Sequence, residues 1–218
     1  RRGPGSARGR CAELPLFSLG RYDPHWMQPT LLTTRLVLRP AGPADADALW
    51  TLWTDPDVRR YLWDDRTITR AKAAAALADC APLGAQGLGL WVVQPAAGVI
   101  AGSPSAEVVL GCAGLLPVST AAECDTRLTG MVEPLVALAP GAWGRGYAYE
   151  ALGALLHHAG VTLGLSRLAA VTDVPNSASD RLLRRAGFVV LGEVAGPRYP
   201  VRTYLWEAAP ARGAAPAG

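Results

Sequence analysis

Hydrophobic and polar residues recur along this chain in two periods, which separate strands from helices. The apolar spacing of LVLRP at 36–40 is typical of a strand, and apolar residues over 46–53 then recur at helical spacing. Asp55 and Pro56 indicate a second helix start, and an alanine-rich stretch favours a helix over 70–80. The later patterns predict strands at 89–94, 108–117, 132–138 and 168–174, a helix at 177–186, a strand from Phe188 and a last strand at 202–207.

The segment from 132 to about 163 forms a strand, a turn and a long helix. The helix has apolar residues at 148, 151, 152, 155, 156, 159 and 163, which lie on one face. Strands and helices of this order predict an α/β (α+β) fold.

The two ends of the chain lack either period. Residues 1–26 are rich in Gly, Pro and Arg, and 210–218 are similarly low in complexity. Both are expected to be disordered. One folded domain is predicted over 27–209, a length that a single hydrophobic core can serve.

The net charge of +3 is confined to the leader. Residues 1–26 hold five arginines against Glu13 and Asp23, whereas 16 basic residues balance 16 acidic ones in the remainder. A neutral body argues against direct nucleic acid binding, because phosphate binding needs clustered cations.

The cysteines lack the close spacing of metal sites and redox motifs. They are Cys11, Cys80, Cys112 and Cys124. No run of about eighteen apolar residues and no signal-peptide core is present. We therefore expect a cytoplasmic protein with reduced thiols, no metal and no membrane contact, either monomeric or homodimeric.

The turn AWGRGYA before the long helix carries the strongest chemical signal. Gly144 and Gly146 remove Cβ atoms at a helix start, where unpaired N–H groups and the helix dipole favour an anion such as a pyrophosphate. A tight turn without a ligand explains the same glycines. A dinucleotide fingerprint would need Gly where Tyr149 stands, and the Gly-Lys-Ser/Thr of a Walker loop is absent. Coenzyme A is the remaining candidate.

Four blocks in order resemble the GNAT acetyltransferases, and within them the RimJ/RimL-like branch that acetylates ribosomal-protein N-termini. They are TTRLVLRP, TDPDVRRYL, LAPGAWGRGYAYEA and DVPNSASDRLLRRAGF, within about 32–206. The resemblance implies a central mixed, mostly antiparallel, splayed sheet of about seven strands flanked by helices. It also implies acetyl-CoA as co-substrate.

The same resemblance assigns the cofactor site. The backbone of Val136, Ala137 and Leu138 would pair with the pantetheine arm. The N–H groups of the glycine turn would hold the pyrophosphate, and Arg145 would add charge beside it. The turn residues are Trp143, Gly144, Arg145, Gly146, Tyr147 and Ala148. Trp143 departs from the broad family pattern, but a backbone grip tolerates this change.

The segment NSASDRLLRRAGF predicts a helix that starts near Asn176. Ser177 and Asp180 match a capping box, and Ser179 falls on the apolar face of this helix. Ser179 is either a small core serine bonded to a carbonyl or, by the resemblance, a donor to the departing thiolate. Asn176 is either a helix cap or a contact of the pantetheine arm.

Acetyl transfer to an amine needs a base and a group that assists the sulfur. Many family members use a Tyr as the acid, but Leu183 stands at that place, which leaves Ser179 or solvent. Glu133 and Glu107 are candidates for the base, and either is also explained as a solvated strand end. The branch often has an acid in the last strand, where this chain has Arg202.

The sequence therefore predicts an N-acetyltransferase that moves acetyl from acetyl-CoA to a primary amine by direct attack in a ternary complex. The acceptor would be a protein N-terminus or a small-molecule amine, with Trp63 near its cleft. The alternative is a catalytically inactive CoA-binding regulatory protein of the same fold. His157 and His158 are interpreted as helix surface residues.

Overall fold

A computed structural model describes residues 28–97, 108–118 and 125–208. The predicted leader 1–26, the predicted tail 210–218 and Glu107 lie outside these residues, as do Cys11 and Cys124.

The described residues form eight strands and five α-helices in an order close to the predicted one. The strands are β1 (Leu31–Leu32), β2 (Leu36–Pro40), β3 (Gly89–Pro95), β4 (Gly111–Pro117), β5 (Val132–Leu138), β6 (Arg167–Asp173), β7 (Val189–Val194) and β8 (Val201–Glu207). The helices are α1 (Ala46–Thr54), α2 (Pro56–Leu62), α3 (Arg70–Cys80), α4 (Tyr147–His157) and α5 (Ser177–Arg185).

These strands hydrogen-bond as two antiparallel sheets, of order β1-β2-β3-β4-β5 and β6-β8-β7. The first residues of β5 and β6, Val132 and Arg167, line one small hollow, whereas 133–138 and 170–173 line a much larger cleft. The two strands therefore run in the same direction and diverge. The expected splay is present, and it divides the expected sheet of about seven strands into groups of five and three.

Alternate residues of the strands face opposite sides of the larger sheet. Helices pack against both of these faces. Ala113 and Leu115 of β4 pack in the cluster that contains α4. Cys112, the residue before Ala113, packs with the cluster of α1 and α3. The sheet is thereby buried on both sides, and its open edge at β5 becomes the main recess of the fold.

The interpretation of His158 as a surface residue is wrong. Its side chain is buried, its Nε2 lies 2.8 Å from the carbonyl oxygen of Gly87, and its ring meets Trp91 edge-on. Burial, the larger cause, lowers the pKa of His158 although the Gly87 contact opposes it. His158 begins a π-helical segment that ends at Thr162, and it follows the buried Ala151 and Leu155 by seven and three residues, which places it on the same side of the helix.

None of the helices in the described parts of the chain is long and apolar enough to cross a bilayer.

Candidate functional site

The large cleft between the diverging halves of β5 and β6 has a volume of about 740 Å³. It brings together both predicted catalytic residues, Glu133 and Ser179. It also contains most of the predicted cofactor residues: Val136, Ala137, Leu138, Trp143, Gly144, Gly146, Tyr147, Ala148 and Asn176. Arg145 is exposed and is not part of the cleft lining.

The backbone of β5 offers hydrogen bonds at its open edge. Met131 accepts from Val118, and Ala139 donates to Leu110, so odd-numbered residues of β5 face β4 across an unbroken register. Because hydrogen-bonding groups alternate sides along a strand, Val136 and Leu138 face the cleft. Ala137 lines the cleft but directs its backbone groups to β4, which differs from the predicted pairing of all three residues.

The Trp143 side chain occupies one acceptor on this edge. Its Nε1 donates to the Leu138 carbonyl oxygen at 2.7 Å. The indole thus ties the end of β5 to the glycine turn that follows. The Val136 N–H and C=O and the Leu138 N–H remain directed towards the cleft.

The glycine turn has the backbone shape that an anion site needs. Gly144 and Gly146 have φ of 72° and 79°, in the left-handed region that favours glycine. Among the described residues, no backbone hydrogen bond is donated by the N–H groups of 144–149, whereas the Glu150 N–H donates to Gly146. Several amides at the positive end of α4 are therefore available to a diphosphate.

The start of α5 is capped by Asn176, not by the predicted Ser177 and Asp180 box. The Asn176 Oδ1 accepts from the Ser179 N–H at 3.2 Å, one turn into the helix. Asp180 is turned away from the cap towards β8. No hydrogen bond of the Ser179 hydroxyl is found within the described residues. The interpretation of Ser179 as a core serine needs a carbonyl acceptor, and none is found there.

A carboxylate network fixes α5 against the second sheet. The Asp180 Oδ1 accepts from the Tyr204 hydroxyl at 2.6 Å and from Arg202 Nη1 at 2.8 Å, and Arg184 adds a third contact. The hydrogen bond from Tyr204, then those from Arg202 and Arg184, outweigh burial and lower the pKa of Asp180 to about 2. The helix that carries Ser179 is therefore held by an ionised side chain at neutral pH.

Arg202 does not take the place of a last-strand acid in the cleft. Its guanidinium contacts Glu193 on β7 and Asp180 on α5, and it is not part of the cleft lining. Leu183, at the position of the family tyrosine, is buried and lines the cleft without a polar group.

The other end of the cleft lies beneath α2. Tyr61 and Trp63 line it, as do three carboxylates that the sequence patterns did not identify: Asp57, Asp79 and Asp173. The Tyr61 hydroxyl donates to the Pro175 carbonyl oxygen at 3.3 Å. This contact joins α2, which lies beside the β5 wall, to the loop that follows β6 on the other wall.

No cluster of ligand-type side chains that could hold a metal ion is found in 28–97, 108–118 and 125–208. Cys112 is buried beneath Trp53, and burial raises the pKa of its thiol to about 12. This thiol is therefore protonated and unreactive at neutral pH.

Comparison with known proteins gives a consistent result. The family model of the acetyltransferase (GNAT) domain matches residues 35–189. FsC-acetyl coenzyme A-N(2)-transacetylase from Aspergillus fumigatus is 31% identical over 163 residues. That alignment covers 73% of this chain and 65% of the fungal protein, so the chain spans just under two thirds of that relative.

Solved structures share the fold at lower identity. An acetyltransferase from Agrobacterium tumefaciens has a TM-score of 0.65 and 22% identity, with 87% of this chain and all of that chain covered. RimL, a ribosomal L7/L12 alpha-N-protein acetyltransferase solved with coenzyme A, has a TM-score of 0.62 and 17% identity. Its match covers 83% of this chain and 97% of RimL.

Proposed function

The chain belongs to the acetyltransferase (GNAT) domain family, and from this premise we propose that it transfers acetyl from acetyl-CoA to a primary amine within a ternary complex. It is an acyltransferase with acetyl-CoA as its co-substrate. The observation that carries the proposal is the row of amides over 144–149, which donate no backbone hydrogen bond within the described parts of the chain, beside the open edge of β5. A diphosphate and an amide-bearing arm are the chemical groups that these two features complement.

The cleft accommodates the donor along this path. The diphosphate would lie on the glycine turn, and the pantetheine arm would pair with Val136 and Leu138 as an added strand. Asn176 uses its Oδ1 as a helix cap, which leaves the Nδ2 group to donate to the arm. Arg145 would contribute only long-range charge, because its side chain is outside the cleft lining.

The chemistry then requires two protons to leave the nitrogen of an ammonium acceptor and one to reach the sulfur. Glu133 would take the first proton from the ammonium, directly or through water, so that the nitrogen lone pair attacks the thioester carbon, and the second would pass from the nitrogen of the tetrahedral adduct to solvent. The Val136 N–H, close to Leu138 on the open edge of β5, would donate to the carbonyl oxygen as negative charge develops, since the Leu138 N–H pairs with the arm. As the C–S bond breaks, the Ser179 hydroxyl would donate to the thiolate, which regains a proton from solvent.

A peptide N-terminus and a small-molecule amine are both acceptors that this scheme serves. The RimJ/RimL-like sequence blocks and the structural likeness to RimL support the first. The N(2)-transacetylase name of the fungal relative supports acetyl transfer to a nitrogen atom. Both acceptors would pass beneath α2, where Tyr61 and Trp63 line the cleft.

The proposed function is tested by incubating the purified chain with acetyl-CoA and separate panels of peptides and small amines. We expect free thiol to appear only when an amine is present, together with a product heavier by one acetyl group in mass spectrometry. Tight coenzyme A binding without turnover on every amine would instead support the regulatory alternative.

Replacing Ser179 with alanine should lower kcat about tenfold and leave the Kd for acetyl-CoA within about twofold. The hydroxyl assists only the departing thiolate, so its loss raises the barrier without removing ground-state binding. Steady-state kinetics and calorimetry separate the two quantities. Ser177→Ala is the matched control on the same helix, since Ser177 is exposed and outside the cleft lining. An unchanged kcat in Ser179→Ala would remove this residue from the mechanism.

A further inference from the structure

Arg35, near the start of β2, contacts the glycine turn but is not part of the cleft lining. Its Nη1 donates to the Arg145 carbonyl oxygen at 3.0 Å, across 110 positions of sequence. Its guanidinium also lies 4.8 Å from the centre of the Tyr147 ring. One side chain thus touches both the turn and the first residue of α4.

Glu150, in the first turn of α4, holds Arg35 in this orientation. Its Oε2 accepts from Arg35 Nε at 2.7 Å and pairs with Nη2 at 2.6 Å. Its Oε1 accepts from the Arg35 backbone N–H at 2.8 Å and from the Thr33 hydroxyl at 2.6 Å. The carboxylate therefore engages four donors from the β1–β2 region, and a fork of this kind fixes the guanidinium plane.

The ionised state of Glu150 is favoured by these partners. Burial is the largest single influence on the pKa of Glu150 and raises it, but the hydrogen bonds from Thr33 and Arg35 together outweigh burial. The pKa of Glu150 is consequently below its ordinary value.

The contact at Arg145 determines where the next amide points. A trans peptide unit is planar, so the carbonyl of Arg145 and the N–H of Gly146 point in opposite directions. Because the carbonyl is drawn towards Arg35, the Gly146 N–H is directed away from Arg35. Gly146 lines the cleft, so this amide is presented on the side that the donor occupies. The carbonyl is also withdrawn from the Tyr149 N–H, which has no backbone acceptor among the described residues.

We propose that Arg35, braced by Glu150, is a positioning residue that orients the glycine-turn amides towards the diphosphate of the acyl donor. The inference rests on the proposed function, since it assumes a donor with a diphosphate on this turn. Arg35 itself does not touch the donor. It acts by preventing the 145–146 peptide unit from rotating its carbonyl oxygen into the diphosphate position.

The test compares two acyl donors that differ in the diphosphate. S-acetylpantetheine carries the thioester and the arm but no diphosphate, whereas acetyl-CoA carries all three. We expect Arg35→Ala to raise the Kd for acetyl-CoA about tenfold or more, as for the loss of one hydrogen bond to a charged group. The kcat/KM for S-acetylpantetheine should change less than about twofold.

Arg39→Ala supplies the matched control for general damage to the strand. Arg39 also lies on β2 and forms a forked pair with Asp45, at 2.6 and 2.9 Å, but has no contact with the turn. Loss of either arginine should lower the melting temperature. Only loss of Arg35 should change the ratio of kcat/KM for acetyl-CoA to kcat/KM for S-acetylpantetheine.

Arg35→Lys keeps the test informative if the alanine variant is poorly folded. A lysine retains the positive charge facing Glu150, but its single ammonium lacks the fork that reaches the Arg145 carbonyl at the same time. The donor ratio should therefore shift in this variant too. Equal losses with both donors, or no loss with acetyl-CoA, would overturn the positioning role. Wild-type protein that fails to bind acetyl-CoA would instead overturn the proposed function.

Discussion

Replacing Gly146 with aspartate is expected to abolish measurable acetyl-CoA binding. The new carboxylate would lie on the turn whose amides are proposed to receive the diphosphate, so two anions would compete for one site. A Cβ at Gly146 would lie 3.4 Å from Arg35 Nη2. The aspartate would therefore also draw Arg35 away from Glu150. Calorimetry should show an affinity at least about 100-fold weaker than that of the wild type.

Gly153→Asp is the matched control for this substitution. Gly153 lies on the exposed face of α4, and an added Cβ there meets no atom within 4 Å. The Gly153→Asp substitution introduces the same charge on the same helix, about two turns further along. We expect its acetyl-CoA affinity to stay within about threefold of the wild type, since charges beyond a Debye length are largely screened. Wild-type affinity in Gly146→Asp would remove the diphosphate from the glycine turn.

Elements with a strong local signal could be predicted from the sequence almost to the residue. Residues 132–138 and the alanine-rich helix at 70–80 match the observed β5 and α3. The start of α2 was predicted because Asp55 caps the helix through its side chain and Pro56 occupies the first turn. Each of these signals lies within a few residues, so no tertiary information was needed.

The contacts that fix the site could not be predicted because they join distant parts of the chain. Glu150 and Arg35 are 115 positions apart, and Asp180 and Tyr204 are 24 apart. The TTRLVLRP and GYAYEA blocks were recognised separately, without any sign that their charged residues meet. Asp173 could not be predicted for a related reason, since the local sequence around a strand-end carboxylate does not indicate that the side chain is buried.

The failure at His158 has a local physical cause. The absence of a third spaced metal ligand argues against a metal role for His157 and His158, but it says nothing about their burial. At 3.6 residues per turn His158 follows Leu155 by three residues and Ala151 by seven, which places it on the buried side of α4 before the π-helical winding from His158 to Thr162. His158 therefore lies in the core beside Trp91, whereas its neighbour His157 is exposed.

Glu133→Gln should lower kcat/KM for the amine acceptor about 100-fold at neutral pH, with little change in the Kd for acetyl-CoA. Glu133 lines the cleft on β5, opposite Leu116 in register and three residues before Val136 on the open edge. Glutamine keeps the shape of the side chain but cannot accept the ammonium proton, and general bases typically contribute 10²- to 10⁴-fold. The deficit should shrink as the pH approaches the pKa of the acceptor amine, because solution then supplies the free base.

Glu207→Gln, at the exposed end of β8, should leave the whole pH profile unchanged. A deficit in Glu133→Gln that stays constant with pH would mean that Glu133 positions the acceptor without removing its proton, and an unchanged kcat/KM would exclude both roles.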